Sequence, residues 1–374
     1  MALALRGVNS MTLEERMVAT GGRASGFDYL RIVLATAVVF WHAFTTAYGN
    51  QFAYSFLSTP YRAPIAVLVP MFFALSGFLV AGSLFRNSVA TFVGLRAIRI
   101  VPALAVETLL SALILGPLLT TQALQSYFTD PLFFKYLCNI FGWIHYRLPG
   151  LFLPNPVSDR VNGQLWTVPW ELWCYLALTV AALSRIVRFR ALFLAATVIG
   201  TLALFGVEVF IHHGHMDPEN GVAAPALLMA FLSAVSIYLY RDTLPWNGWG
   251  AAACSLVLLV LFLVPGGDYL VGFPVAYVTI FLGLLNPEKI GVLKGADYSY
   301  GLYIYHYVIQ QVFVFLLPAD RHWYFVFPVS FVLGSVFAGL SWHMVEKPAL
   351  RSRRYLPAVE RMFAAVSPRK PKAA

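Results

Sequence analysis

A histidine and a glutamate stand inside long apolar runs, where an ionisable side chain needs a reason to be. His42 lies in FDYLRIVLATAVVFWHAF and Glu171 in LWTVPWELWCYL. A carboxylate beside an imidazole fixes its tautomer and stabilises its protonated form, the arrangement by which a general base takes a proton from a hydroxyl. That is the chemistry this pair would do. The plain alternative is that each residue satisfies a helix contact of its own. At a bilayer centre an unpaired charge costs upwards of ~2.5 kcal/mol, so Asp28, Arg31, Glu107, Glu208 and His306 need an account as well. Asp28 and Arg31, three residues apart, can pair locally and fix a helix end. Glu208 and Glu346 lie near the ends of apolar runs, where snorkelling to the interface suffices.

A second constellation is basic. Arg86, Arg96 and Arg99 follow the second apolar run, and the R-A-I-R spacing of the last two puts them on one helical face. The planar fork of arginine suits phosphate oxygens, although basic residues also simply anchor the cytoplasmic ends of membrane helices. The sequence contains no Walker loop or GxGxxG fingerprint, which removes support for a nucleotide triphosphatase or a Rossmann oxidoreductase. His212, His213, His215 and Asp217 form a dense ligand cluster that could bind zinc, but no nearby residue of an apolar run completes it, so no metal is assigned. Cys138, Cys174 and Cys254 have neither metal-ligand nor redox spacing.

The elements that must position these residues are membrane helices. Of 374 residues, 59% are hydrophobic and 11% charged, whereas a soluble domain carries about 25% charged residues. The net charge of +9 does not point to nucleic acid, because the basic residues fall between hydrophobic runs instead of forming one surface patch. A bilayer core needs roughly 20 apolar residues per helix. Runs of about that length occur at 27–48, 64–84, 101–119, 165–184, 191–211, 221–240, 248–264, 268–286, 299–317 and 324–346, which predicts an all-α polytopic membrane protein of about ten spans. With the N-terminus inside, 20 of the 26 Lys and Arg residues fall in inner segments, while Arg62, Lys135, Arg147, Arg160 and Arg321 fall outside. The positive-inside rule therefore places both termini in the cytoplasm.

Residues 131–153 are apolar enough to resemble a further span, but counting them would turn Arg185, Arg188, Arg190 and the RSRR at 351–354 outward. An interfacial or re-entrant segment on the outer face is the better assignment. The predicted organisation is a cytoplasmic tail over 1–26, a membrane domain over 27–346 with an outer segment at 120–164, and a basic cytoplasmic tail over 347–374. In this topology His42 and Glu171 each lie about six residues, or roughly 9 Å of helix, below the outer edge. There is no internal repeat of the kind that marks many transporters.

Taken in order, FDYLRIVLATAVVFWHAF, MFFALSGFLVAGSLFR, RAIRIVP, LWTVPWELWCYL, DYSYGLYIYHYVI and WHMVEKPAL resemble the acyltransferase-3 family of membrane acyltransferases. The resemblance runs through nearly the whole chain. It implies a bacterial inner-membrane enzyme that moves an acyl group, acetyl foremost, from acyl-CoA to a hydroxyl of a cell-surface or secreted glycan or a similar acceptor. Acyl-CoA would be a co-substrate, with no permanently bound cofactor and no nucleic-acid partner. By the same resemblance His42 is the catalytic base, Glu171 the acidic position after the LW pair that includes Trp166, and Arg96 and Arg99 the donor-binding RxxR. Arg86, which follows the SGFL motif that contains Ser76, is by the same resemblance the third acyl-donor-binding candidate. Asp28, Arg31, Ser76, Trp166, Tyr300 and His306 are structural or acceptor-site candidates, and Tyr303 and Tyr305 share the aromatic run of Tyr300. The alternative class is a proton-coupled transporter or flippase in which His42, Glu107, Glu171 and His306 relay protons.

Overall fold

The computed structural model describes residues 11–22, 24–211, 221–291, 294–358 and 360. Among them every named element is helical, and strand-like pairing is confined to a single bridge between Thr12 and Pro245. The chain is an all-α membrane protein. Five helical stretches are long and apolar enough to cross a bilayer: Gly26–Tyr48, Pro60–Arg86, Val89–Leu119, Arg190–Phe210 and Trp323–Ala358. A helix nevertheless stands at each predicted place: α1 (Gly26–Tyr48), α2 (Leu68–Arg86), α3 (Val89–Leu110), α4 (Thr167–Leu183), α5 (Arg190–Phe210), α6 (Ala224–Leu239), α7 (Gly248–Leu261), α8 (Gly272–Gly283), α9 (Ser299–Leu316) and α10 (Trp323–Ser341). Of these, α6, α7 and α8 are apolar but short.

The doubtful stretch at 131–153 is not one continuous helix. Asp130 caps a helix over Pro131–Leu137, which tightens into a 3₁₀ turn, Cys138–Phe141, and stops at Gly142 with φ of 79°. Seven helical residues rise only about 10 Å, far short of a bilayer. The chain then crosses in loops to Gln164.

Small residues set the closest approaches. A Cβ at Gly77 would come within 2.3 Å of the Phe231 carbonyl oxygen, so glycine here lets α2 lie against α6, its main partner. Two π-helical segments extend α3 and α10, Ser111–Leu115 and Trp342–Glu346, and each precedes an X-Pro pair, Gly116-Pro117 and Lys347-Pro348. A proline lacks the N–H that the preceding turn would accept from, and a wider turn absorbs the mismatch. The helix of α10 thereby runs on to Arg351, past the predicted start of the basic tail.

The connecting segments gather at two ends. At one, a short helix, Leu13–Ala19, docks beyond α6: the N–H groups of Leu13 and Glu14 donate to the carbonyls of Leu244 and Arg241. There too Arg16 reaches the Leu284 carbonyl and Arg190 pairs with Asp242. At the other end, buried Arg62 pairs with Asp268 and donates to the carbonyls of Gly221 and Phe262.

Candidate active site

His42 sits on α1 facing α9, and the partner it meets is His306. The Nδ1 of His42 lies 2.8 Å from the Nε2 of His306, and the Nδ1 of His306 lies 3.0 Å from the Leu302 carbonyl oxygen. A carbonyl only accepts, so the proton of neutral His306 belongs on Nδ1 and its Nε2 is an acceptor. His42 must then donate from Nδ1, which leaves its own Nε2 carrying a lone pair. The two rings stack at 5.1 Å, and Tyr307 stands edge-on to His42 at 5.2 Å. Polar groups hold the helices in this register: Gln310 donates to the Val39 carbonyl on α1 and to the Ser330 hydroxyl on α10, while Thr46 donates to the His42 carbonyl.

The expected His42–Glu171 pair does not form. Equal depth in a bilayer does not make two helices neighbours, and α1 packs against α9, α10, α2 and α8. The Glu171 carboxylate accepts from Tyr175, one turn along α4. It faces a separate cavity of about 160 Å³, which is also lined by Arg31, Ser76, Arg96, Arg99 and Tyr300. His42 faces a smaller one of about 70 Å³, with Arg160, Trp166 and Tyr307. Arg31 and His42 are eleven residues apart on α1, just over three turns. They therefore share a helix face, separated by roughly 16 Å of rise, and one helix serves both cavities.

The arginines of the larger cavity are not equivalent. Arg99 pairs with Asp297 at 2.6 Å and with Glu346 at 3.3 Å, and Arg31 pairs with the same Asp297 at 3.2 Å. The predicted Asp28–Arg31 pair exists but is longer, 3.7 Å, and Asp28 also meets Lys289. Burial works against the Asp297 carboxylate, yet Arg99, Arg31 and hydrogen bonds from Ser299 hold it well below the usual carboxylate range. Arg96 differs: its Nε is buried with no hydrogen-bond partner, and its guanidinium lies over the rings of Phe92 and Tyr175 at 5.9 and 5.8 Å. Tyr300 donates to the Ile100 carbonyl and lies under Arg99 at 5.4 Å. Arg86, expected with Arg96 and Arg99 as a donor-binding residue, is exposed at the last turn of α2 and lines neither cavity, so the structure does not bring it to the other arginines.

Two sequence expectations are corrected here. Glu346 does not snorkel: it is 3% exposed and bound by Arg99 and Ser341. Glu208, 5% exposed, accepts from the Tyr269 hydroxyl. Buried Glu107 accepts from Ser111 and from Asn162, which ties the loop before α4 to α3. The cluster His212, His213, His215 and Asp217 lies outside the described residues. The cost of a charge within a span does not point to Asp297, Gln310, Asn162 or Gln164. Three are neutral amides and the fourth stands two residues before its helix, although the amides are visible as polar letters in apolar surroundings.

Fold and site together define a helical membrane protein with a histidine pair, His306 buried and His42 half-buried, and an arginine-lined cavity beside it. The chain belongs to the acyltransferase-3 family: a family model described as an acyltransferase domain matches residues 25–342. It is 27% identical over 335 residues to an O-acetyl transferase of Shigella phage Sf6, covering 87% of this chain and 96% of the phage protein. It is also 27% identical over 375 residues to nodulation protein 10 of Rhizobium leguminosarum bv. viciae, covering 91% of this chain and 96% of that one. No solved structure matches.

Proposed function

We propose that this acyltransferase moves an acetyl group from acetyl-CoA, bound by the arginine cavity, to a hydroxyl of a glycan or similar acceptor that reaches His42. The observation that carries the reading is the adjacency of the two cavities: a basic one lined by Arg96 and a smaller one holding an imidazole with its Nε2 lone pair unengaged by His306. The phosphates of coenzyme A are anions, and Arg96 lines the cavity with a guanidinium whose buried Nε–H has no partner. The acceptor O–H gives its proton to Nε2 of His42 as its oxygen attacks the thioester carbonyl. The new C–O bond forms, the C–S bond breaks, and the departing thiolate takes the proton back from Nε2. His306 keeps the tautomer and stabilises the transient imidazolium by accepting from Nδ1. The name of the phage relative, an O-acetyl transferase, supports acetyl and an oxygen acceptor.

The enzyme lies in the bacterial inner membrane with ten spans and both termini inside. The positive-inside count supports this, as do the contacts of the N-terminal helix with Arg241 and Leu244 and of Arg16 with Leu284, all in segments expected on the cytoplasmic face. On this reading the segment over 120–164 lies on the outer face and the basic tail from Lys347 on the cytoplasmic face. To test the function, purified protein is given acetyl-CoA and a glycan acceptor, and free thiol and acceptor mass are followed together. Acceptor-dependent thiol release with a matching acetyl gain supports the assignment; release unaltered in both His42→Ala and Arg96→Ala would sink it.

A further inference from the structure

The donor and acceptor cavities have two side chains in common, Val69 on α2 and Tyr303 on α9. On the reading proposed above, an acyl group carried from the arginine side to His42 must pass this pair. Tyr303 is fixed at both ends. Its hydroxyl donates to the Gln164 carbonyl at 3.1 Å and lies 2.9 Å from the Thr167 hydroxyl. Its ring meets Phe72 edge-on at 5.9 Å and stands one turn before His306 on the same face of α9, ring centres 6.1 Å apart. Gln164 in turn donates to the carbonyls of Tyr303 and Ile304, so the loop before α4 grips this turn of α9 at side chain and backbone alike.

Beyond the pair, the space is small and its walls are stiff. The cavity beside His42, about 70 Å³, has room for about two water molecules at roughly 30 Å³ each. A two-carbon acyl group and an attacking hydroxyl would largely fill it. Trp166 and Tyr307 line it, and Tyr307 is seated against Gly163, where a Cβ would come within 2.7 Å of the ring.

We propose that Val69 and Tyr303 are the residues that set acyl-chain length, admitting acetyl to His42 and excluding longer chains. Val69 narrows the passage from the α2 side, and the latched Tyr303 ring narrows it from α9. An extra methylene in a tight pocket changes discrimination by about tenfold to two-hundredfold, and two such increments separate acetyl from butyryl.

The test compares kcat/KM for acetyl-, propionyl- and butyryl-CoA by thiol release in the purified, full-length enzyme and in Val69→Ala, Val69→Ile, Tyr303→Phe and Tyr303→Ala. The expected result is that Val69→Ala and Tyr303→Ala reduce the acetyl-over-butyryl preference about tenfold or more. Val69→Ile should sharpen the preference and slow even acetyl transfer. Tyr303→Phe, which keeps the ring but loses the latch, should fall between wild type and Tyr303→Ala. Should Tyr303→Ala fail to fold, the opposed shifts of the two Val69 variants carry the test. Wild type active on acetyl-CoA, with the acyl ranking unchanged in the Val69 variants, would overturn this inference alone. Wild type inactive on every acyl-CoA would overturn the donor reading and this inference with it.

Discussion

His42 and His306 share one hydrogen bond, Nδ1 to Nε2 at 2.8 Å, and the carbonyl of Leu302 at the far end of His306 dictates which way its proton points. The consequence is a division of labour that mutation can separate. A positioned base contributes about 10²–10⁴ in rate, so His42→Ala should lower kcat by that range with little change in KM for acetyl-CoA. His306→Ala leaves the base but frees its tautomer, and kcat should fall less, by roughly 10- to 100-fold. Steady-state thiol release with saturating acceptor measures both.

Arg96 and Arg99 are adjacent in sequence pattern but should differ in effect. Arg96 has a buried donor without a partner, so Arg96→Ala should raise KM for acetyl-CoA at least about tenfold, the loss of one charge-assisted hydrogen bond of roughly 1.5–3 kcal/mol, with thermal stability nearly unchanged. Arg96→Lys should recover only part of it, since a point charge does not reproduce the guanidinium fork. Arg99→Ala removes one partner from each of Asp297 and Glu346 and should lower the melting temperature as well. Thermal unfolding in detergent beside the kinetic series distinguishes the two.

Asp297 makes stability depend on pH in a stated direction. Its carboxylate is held well below the ordinary range in the folded protein, so its contribution is fully present above the unfolded value of about 3.9 and is lost as pH falls through the lower folded value. Asp297→Asn should therefore melt lower than wild type at pH 7. The difference should persist at pH 5 and shrink progressively below pH ~4 as the wild-type carboxylate protonates. Melting curves of the two proteins across that range decide it.

The Arg62–Asp268 pair lines neither cavity and holds the segments before α2, α6 and α8 together. Removing one partner of a buried pair strands the other charge, at a cost of roughly 3–5 kcal/mol. Asp268→Ala should lower the melting temperature strongly, while the protein that remains folded at low temperature keeps its KM for acetyl-CoA. Loss of donor affinity in folded Asp268→Ala protein would show that the pair shapes the site and not only the fold.

Much of this architecture is legible in the sequence, for physical reasons that also mark where legibility stops. A helix stands at each predicted place because an apolar run near bilayer length has no other way to satisfy its backbone. The cost of burying charge singles out His42, Glu171, Glu107 and His306 correctly as residues with partners. It does not say which partners: His42 and Glu171 match in depth, yet α9 supplies the neighbour of one and Tyr175 that of the other. Glu346 reads as an interfacial charge from its position near a helix end, but the π segment before Pro348 turns it inward onto Arg99. The neutral amides Gln310, Asn162 and Gln164 carry no charge penalty and so escape a search built on one, although they fix the register of α9.

The most direct test of the account is the mass of surface and secreted glycans from cells lacking this protein, re-expressing either wild type or His42→Ala at matched levels in the membrane. The account predicts an acetyl mass that disappears on deletion, returns with wild type and stays absent with His42→Ala. Full restoration of the acetylated species by His42→Ala would contradict it.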